Sequence, residues 1–420
     1  MKAILRLAAL SAWSRRLTLG LTLISIVLAT TLLLAVERVR VDARRSFTQS
    51  VSGVDLVVGA RGGGVQLMLH AVFHAGAASN NIEWTSYQAL ATHPAVAWAL
   101  PLSLGDSHRG YPVLGTVPEY FEHFRYGGGQ ALELGTGKPF ADIFQAVIGS
   151  EVAARLHYAL GQKITLSHGL GGVPGMEHAE RHFEIVGILA PTGTPVDRTV
   201  HVSLESISAL HVDWAGGAPV PGLSIPEQYV KKFDLQPKEI TAALVGLKSR
   251  SDVFRMQRFV NDFKSEPLSA VLPGVALDEL WQAIGMVERT LLAVSALVVA
   301  VGLAGLTATL LAGLNERRRE LAILRALGAG PRDLFVMLLV ESLLITGLGA
   351  LGGLLLLTAG SMLAAPWLLD GFGVVLATRI PSDNELALLA AVVGTGLVAG
   401  VAPGWRAWRM SLADGLTPRL

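Results

Sequence analysis

The sequence predicts an integral membrane protein with four transmembrane α-helices in a 1+3 arrangement. A large extracytoplasmic α+β domain of two lobes is inserted between the first and second spans. Hydrophobic residues make up 51% of the 420 residues and charged residues only 16%, whereas a typical soluble domain carries about 25% charged residues. The mean hydropathy is +0.49, and the apolar residues are concentrated in four long runs.

The first apolar run follows a basic N-terminal segment. Residues 1–16 carry four lysines and arginines and no acid, and residues 17–36 carry no charge. This is about the 20 residues needed to cross a bilayer core. A secretory signal peptide is the alternative, but its apolar core has about 7–15 residues and ends at a small-residue cleavage site. Here the run is longer and passes directly into Glu37 and Arg38, which favours an uncleaved anchor.

Residues 37–288 have the composition of a soluble protein. Loops rich in Gly and Pro separate short apolar strands, such as residues 96–102, from amphipathic helices, such as residues 252–263. This mixture predicts one α+β region outside the membrane.

Basic residues in the short segments orient the spans. They are frequent in the N-terminus, in the turn at 315–333 and in the tail, whereas the segment 366–385 has only Arg379. The positive-inside rule therefore puts both termini and the turn in the cytoplasm. The predicted segments are the cytoplasmic N-terminus (1–16), span 1 (17–36), the periplasmic domain (37–288), span 2 (289–314), the cytoplasmic turn (315–333), span 3 (334–365), the periplasmic loop (366–385), span 4 (386–403) and the cytoplasmic tail (404–420).

The turn between spans 2 and 3 is predicted to be a short amphipathic helix. Its leucines recur at near-helical spacing with arginines on the remaining surface, and Gly328, Gly330 and Pro331 then end it and begin the next helix. Such a helix cannot fold alone, so it docks either on a partner protein or on anionic lipid headgroups. The predicted docking residues are Glu316, Arg317, Arg318, Arg319, Glu320, Leu321, Leu324, Arg325, Leu327 and Gly328.

The chain carries no sequence signature of catalysis, so we predict that it is not an enzyme. It has no metalloprotease or serine-hydrolase motif, and it has no cysteine. The stretch from Gly135 to Lys138 resembles a phosphate loop, but Leu132 and Pro139 replace the required Gly and Ser/Thr. We therefore expect ATP and Mg²⁺ to be bound by a partner chain. No basic tail with interleaved aromatic residues suggests nucleic-acid binding.

Glu341 lies about ten residues into the third span. An intramembrane carboxylate is a candidate for a proton or substrate site, and the alternative is a structural hydrogen-bond partner near the cytoplasmic interface. Gly349 and Gly353, like Gly396 and Gly400, are four residues apart. Such pairs permit close helix approach and are a weak indication of dimerisation.

All 11 histidines lie between His70 and His211, within the predicted outer domain. His70 and His74 are four residues apart, as are His178 and His182. On a helix this spacing lets two imidazoles share a metal such as zinc. The alternative is that histidines follow the soluble surface and that these pairs arise by chance.

The turn and several other segments together resemble the FtsX/MacB/LolC-type ABC transporter permeases. The segments are 316–329, the Glu341-bearing span, 403–416, 147–156, 161–164 and 183–188. The resemblance implies a coupling helix in the turn, seated on a separate ATPase subunit that is itself a dimer. It also implies a homodimer or heterodimer of permease chains in the bacterial inner membrane, and a MacB-like periplasmic core domain. A periplasmic adaptor or lipoprotein is a further partner that it allows.

Three functions are consistent with these patterns. The first is a permease subunit that couples ATP hydrolysis on a partner to movement of its periplasmic domain, exporting or extracting a lipid, lipoprotein or hydrophobic substrate. The second is a permease of the same build that handles zinc through its periplasmic histidines. The third is a membrane scaffold or signalling protein that needs no ATPase.

Overall fold

The computed structural model describes residues 16–76, 80–169, 181–215, 218–220, 225–316, 318–326, 328–372 and 381–409. The chain forms two compact units, one of residues 1–43 with 284–420 and the other of residues 44–283. The helices are α1 (Arg16–Gln49), α2 (Gly64–Ala71), α3 (Trp84–Ala91), α4 (Glu119–His123), α5 (Ser150–Leu156), α6 (Leu204–Leu210), α7 (Glu227–Val230), α8 (Val253–Asn261), α9 (Pro273–Glu316), α10 (Arg318–Ala326), α11 (Pro331–Phe372) and α12 (Asp383–Arg409).

The strands all lie in the second unit. They are β1 (Leu56–Ala60), β2 (Ile82–Glu83), β3 (Val96–His108), β4 (Tyr111–Thr116), β5 (Arg125–Tyr126), β6 (Gln130–Ala131), β7 (Leu134–Gly137), β8 (Gln145–Ile148), β9 (Lys163–Ile164), β10 (Ser167–His168), β11 (Phe183–Leu189), β12 (Val200–Ser203), β13 (Trp214–Ala215), β14 (Ala218–Pro219), β15 (Glu239–Ile240), β16 (Ala242–Leu247) and β17 (Leu268–Val271). The main sheet has 11 strands, nine of them in the order β17-β1-β16-β3-β4-β12-β8-β11-β7; β10 pairs with β3 and β9 with β11.

Strand β1 of the main sheet is buried on both faces. Consecutive side chains of β1 alternate between two hydrophobic clusters: Leu56 and Val58 pack in one and Val57 in the other. This period of two follows from the pleat of a strand. It explains why β1 reads as a continuous apolar run, since strands covered on both faces lose the alternation of polar residues. The predicted division of this domain into two lobes stays a prediction.

Within the described ranges, four helices are long and apolar enough to cross a membrane. The spans within them are Arg16–Asp42, Pro273–Leu314, Pro331–Leu363 and Asp383–Arg409. The helices α1 and α9 continue beyond the predicted spans. Residues 37–49 and 273–288 are helical although they carry charged side chains. Hydropathy detects the apolar part of a helix, and these two helices extend past it.

Close packing in the first unit depends on small residues. A Cβ atom added at Gly396 of α12 would lie 2.2 Å from Thr346 Cγ2 of α11, and one at Gly353 of α11 would lie 2.7 Å from Thr30 Cβ of α1. The Ser342 hydroxyl donates a hydrogen bond of 2.6 Å to the Gly396 carbonyl. Both glycine pairs of the sequence therefore permit close contact between helices of the same chain.

Helix α12 passes through Pro403 and continues to Arg409. Proline has no N–H, so the carbonyl of Ala399, four residues earlier, loses its usual helical donor. The Thr307 hydroxyl of α9 lies 3.4 Å from that oxygen and can donate to it. That hydroxyl has one proton and also lies 2.9 Å from the Leu303 carbonyl oxygen of its own helix, so the contact to α12 is the longer of the two that it can make. Ser and Thr side chains of neighbouring helices are among the groups that allow proline within membrane helices.

Candidate functional site

The turn between the second and third spans is built as a separate short helix. Helix α10 ends just before Gly328, whose φ of +101° lies in the left-handed region that glycine adopts without strain. The Ala329 N–H donates to the Leu324 carbonyl. The Asp333 carboxylate accepts a hydrogen bond of 2.8 Å from the Gly330 N–H, and Pro331 is the first residue of α11. This connection fixes the direction in which α11 leaves the turn.

Apolar side chains attach α10 to the ends of the long helices. Leu321 is only 3% exposed, and Leu324 packs against the same hydrophobic cluster. The cluster also contains Leu314 of α9, Ala407 of α12, and Leu334, Met337 and Leu338 of α11. Ile323, by contrast, is 59% exposed. The two predicted docking leucines therefore hold the helix to its own chain, and Ile323 is the apolar side chain that α10 presents outward.

The charged residues of the turn are described only in part. Arg317 and Leu327 lie outside the described residues, as do the side chains of Glu316, Arg318, Arg319 and Glu320. Arg325 is half-buried and Gly328 is exposed. The docking role of these residues stays a prediction.

Glu341 is 4% exposed and faces the interior of the first unit. Its neighbour Ser342 bonds to α12, and Thr346, one turn further, donates to the Ser342 carbonyl. The burial of Glu341 is consistent with both predicted roles, a structural hydrogen-bond partner and a proton or substrate site.

A buried ion pair joins α1, just past its apolar segment, to the start of α12. Arg38 Nε lies 2.9 Å from Glu385 Oε1, and the two side chains are 2% and 0% exposed. The Glu385 carboxylate also accepts the Ser382 N–H at 2.9 Å. Beside them Arg40 donates two hydrogen bonds to Glu37. The partners of the buried pair are 347 residues apart, so no local pattern in the sequence could reveal it.

The helical spacing of His70 and His74 does not produce a shared helix face. Helix α2 ends at Ala71, and His74 has a left-handed φ of 50°. Its Nδ1 lies 2.9 Å from Thr199 Oγ1. Burial lowers the pKa of His74 to about 3 and that of His201 to about 4, so both imidazoles are neutral near pH 7. Of the second predicted pair, His178 lies outside the described residues, and His182 is exposed in a groove with Asp142 and Lys231.

Two family models match consecutive parts of the chain. The model described as "MacB-like periplasmic core domain" matches residues 19–239. The model described as "FtsX-like permease C-terminal" matches residues 292–412. The first of them alone covers more than half of the chain.

Individual relatives agree with this assignment. The chain is 25% identical over 349 residues to the lipoprotein-releasing system transmembrane protein LolC of Neisseria meningitidis, covering 78% of each protein. It is 27% identical over 274 residues to the macrolide export ATP-binding/permease protein MacB of Hyphomonas neptunium; that match covers 63% of this chain and 37% of MacB. The solved periplasmic region of MacB from Actinobacillus actinomycetemcomitans is 10% identical, with a TM-score of 0.34 over 56% of this chain and 94% of that one. Because both family models match, the chain belongs to the FtsX/MacB/LolC-type permeases of ABC transporters.

Proposed function

We propose that this chain is the permease subunit of an ABC transporter that transmits ATP hydrolysis on a separate ATPase subunit to its extracytoplasmic domain. The observation that carries the proposal is the seating of α10, which is held by Leu321 and Leu324 and presents Ile323 outward. An exposed isoleucine beside a block of arginines is suited to a protein partner, because apolar anchors and arginines are enriched at interfaces.

A force on α10 has a short path into three membrane helices. The cluster around Leu321 includes residues of α9, α11 and α12, so a displaced α10 must move these helix ends or open a cavity. Opening a cavity around a buried leucine costs about 2–5 kcal/mol, which favours a concerted movement. The rigid connection through Gly330 and Pro331 adds a direct link to α11.

Helix α12 is in turn connected to α1 near its other end. The Arg38–Glu385 pair joins α1 to the start of α12, and α1 leads in sequence directly into the second unit. Breaking a buried ion pair costs about 3–5 kcal/mol. A tilt of α12 that starts at Ala407 would therefore carry α1 along with it, and we propose this as the route to the outer domain.

The proposed setting is the bacterial inner membrane, with both termini and α10 in the cytoplasm and two permease chains in the transporter. The lipoprotein-releasing and macrolide-export functions of the relatives LolC and MacB suggest the substrate class. We propose that the chain moves a lipid, a lipoprotein or another hydrophobic molecule out of the membrane.

Single cysteines test this proposal directly, because the chain has none of its own. The substitution Ile323→Cys on the exposed side of α10 is compared with Leu321→Cys on the buried side. A membrane-impermeant maleimide should label Ile323→Cys in inverted vesicles and not in intact spheroplasts. A co-expressed ABC ATPase should protect it from labelling, and Leu321→Cys should react poorly in both preparations.

The second experiment removes the charges of Arg317, Arg318 and Arg319 in a triple variant. We expect loss of ATPase co-purification without loss of the folded permease. The coupling hypothesis fails if this triple variant still retains the ATPase and supports normal hydrolysis, or if Ile323→Cys is labelled from outside intact cells.

A further inference from the structure

Three side chains that can bind a metal meet in the second unit, away from both predicted histidine pairs. Asp106 lies in β3, and His168 in β10 is its direct partner in the antiparallel register. His211 is the residue at which α6 ends. Within the part of the chain that the structure describes, this is the only group of three or more His, Asp or Glu residues close enough to share an ion.

The spacing of the three ligand atoms fits a tetrahedral ion. His168 Nδ1 lies 3.0 Å and His211 Nε2 lies 3.9 Å from the same oxygen, Asp106 Oδ1. All three atoms lie within 4.8 Å of one another. Zinc holds nitrogen and oxygen ligands at about 2.0–2.2 Å, which puts two tetrahedral ligands about 3.3–3.6 Å apart. The two distances to Asp106 Oδ1 lie on either side of this range, so small side-chain movements would bring three ligands onto one ion.

The backbone orients one of the imidazoles for binding. His211 Nδ1 lies 2.9 Å from the Ile207 carbonyl oxygen. A carbonyl can only accept a hydrogen bond, so Nδ1 is the donor in this contact and Nε2 is the nitrogen available for a metal. Metal-binding histidines use their second nitrogen in this way to fix the ring. The available nitrogen is the one that faces Asp106.

The charge of the cluster also calls for a cation. Asp106 is 4% exposed, and a buried carboxylate needs a cation or hydrogen-bond donors beside it. The contact of His168 Nδ1, 3.0 Å from Asp106 Oδ1, meets part of this need. His211 Nε2 lies 3.9 Å from an oxygen of the same carboxylate. A metal ion between the three groups stabilises both contacts.

The cluster opens into a cleft of about 810 Å³. Trp214 stands at one side of the cluster, with its ring centroid 5.5 Å from that of His168 and 5.2 Å from that of His211. Three protein ligands and an open side leave a fourth coordination position for water or another ligand.

We propose that Asp106, His168 and His211 bind a zinc ion whose fourth coordination position opens into this cleft. Two imidazoles and one carboxylate suit zinc and neighbouring transition metals, and they exclude a preference for Mg²⁺ or Ca²⁺, which take mainly oxygen ligands. The site does not depend on the proposed coupling function, since none of its residues belongs to the first unit.

The test uses the full chain in detergent, stripped with a chelator and titrated with zinc chloride alone by calorimetry. We expect one high-affinity zinc ion per chain. The substitutions His168→Gln and His211→Gln should each weaken binding at least about 100-fold, since each removes a ligand, and Asp106→Asn about 10–100-fold. His182→Gln, which changes an exposed histidine in a different groove, is the matched control and should bind as the parent does.

Cobalt gives a second, spectroscopic readout of the same site. Co²⁺ bound in place of zinc should show the intense visible bands of a tetrahedral site in the parent and in His182→Gln, and these bands should vanish in His211→Gln. Thermal unfolding without metal shows that each variant is folded. The proposal is overturned if the parent binds no zinc tighter than micromolar, or if His168→Gln and His211→Gln bind zinc as tightly as the parent.

Discussion

Substituting Gly396 by alanine tests whether close contact between α11 and α12 holds the membrane unit together. The added Cβ would lie 2.2 Å from Thr346 Cγ2, whereas ordinary contacts begin near 3.4 Å. The two helices would have to separate by about 1 Å. That separation would also stretch the 2.6 Å hydrogen bond from Ser342 to the Gly396 carbonyl.

The expected cost follows from three contributions. Overpacking costs about 1–3 kcal/mol, and loss of an interhelical hydrogen bond costs about 0.6–1.7 kcal/mol. Alanine recovers up to about 1 kcal/mol of helix propensity. We therefore expect Gly396→Ala to lower the free energy of unfolding by about 1–4 kcal/mol. Gly394 on the same helix has no neighbouring atom within 4 Å, so Gly394→Ala should be neutral or slightly stabilising.

The assay is unfolding of the full chain in mixed detergent micelles, followed by far-ultraviolet circular dichroism. Combining Gly396→Ala with Thr346→Ala should restore part of the loss, because the closest clashing atom is removed. Equal effects of Gly394→Ala and Gly396→Ala, or a double variant as unstable as Gly396→Ala, would refute the packing argument.

The remaining predictions concern the same unfolding assay. Glu385→Gln leaves Arg38 buried without its counter-charge and should cost about 3–5 kcal/mol, whereas replacing both residues by apolar ones of similar size should cost much less; equal losses would contradict this. Gly353→Ala, which would bring a Cβ 2.7 Å from Thr30, should destabilise, whereas Gly347→Ala, with nothing within 4 Å, should not. The pKa of His201 is about 4 when folded and about 6.5 when unfolded, so the unfolded chain binds the extra proton. The contribution of His201 to stability should therefore be full above pH 6.5, fall by about 1.4 kcal/mol per pH unit below it and level off near pH 4. His74, whose pKa is about 3, adds a second fall of the same sign, so His201→Gln should show a shallower fall and not a flat profile.

The membrane spans are predictable from the sequence because each depends on local composition. An apolar run of about 20 residues is detectable without knowing what it touches, and four helices of this kind are present. The glycine pairs also signalled close helix approach. They did not reveal which helix would approach, because that depends on residues such as Thr346 and Ile26 in distant parts of the chain.

The candidate sites were less predictable, since they depend on contacts between distant segments. Spacing of four residues indicated a metal site at His70 and His74, but α2 ends before His74, so the geometry behind that argument is missing. The cluster at Asp106 draws on two strands and a helix end that are far apart in sequence. The leucines of α10 are predicted to dock on a partner. Leu321 and Leu324 pack against a hydrophobic cluster of the chain itself, and the docking role of the turn stays a prediction.

The buried pair of Arg38 and Glu385 has a consequence for how the protein is made. The 347 residues between them take on the order of 20–70 s to synthesise. Throughout this time Arg38 of the first helix has been synthesised, whereas its counter-ion Glu385 has not. A charge of this kind is costly in hydrocarbon, so the first helix must wait with Arg38 in the hydrated interface until the last helix arrives. The ion pair thus makes completion of the chain a condition for closing the bundle, and a truncated product would keep an arginine that membrane quality control can recognise.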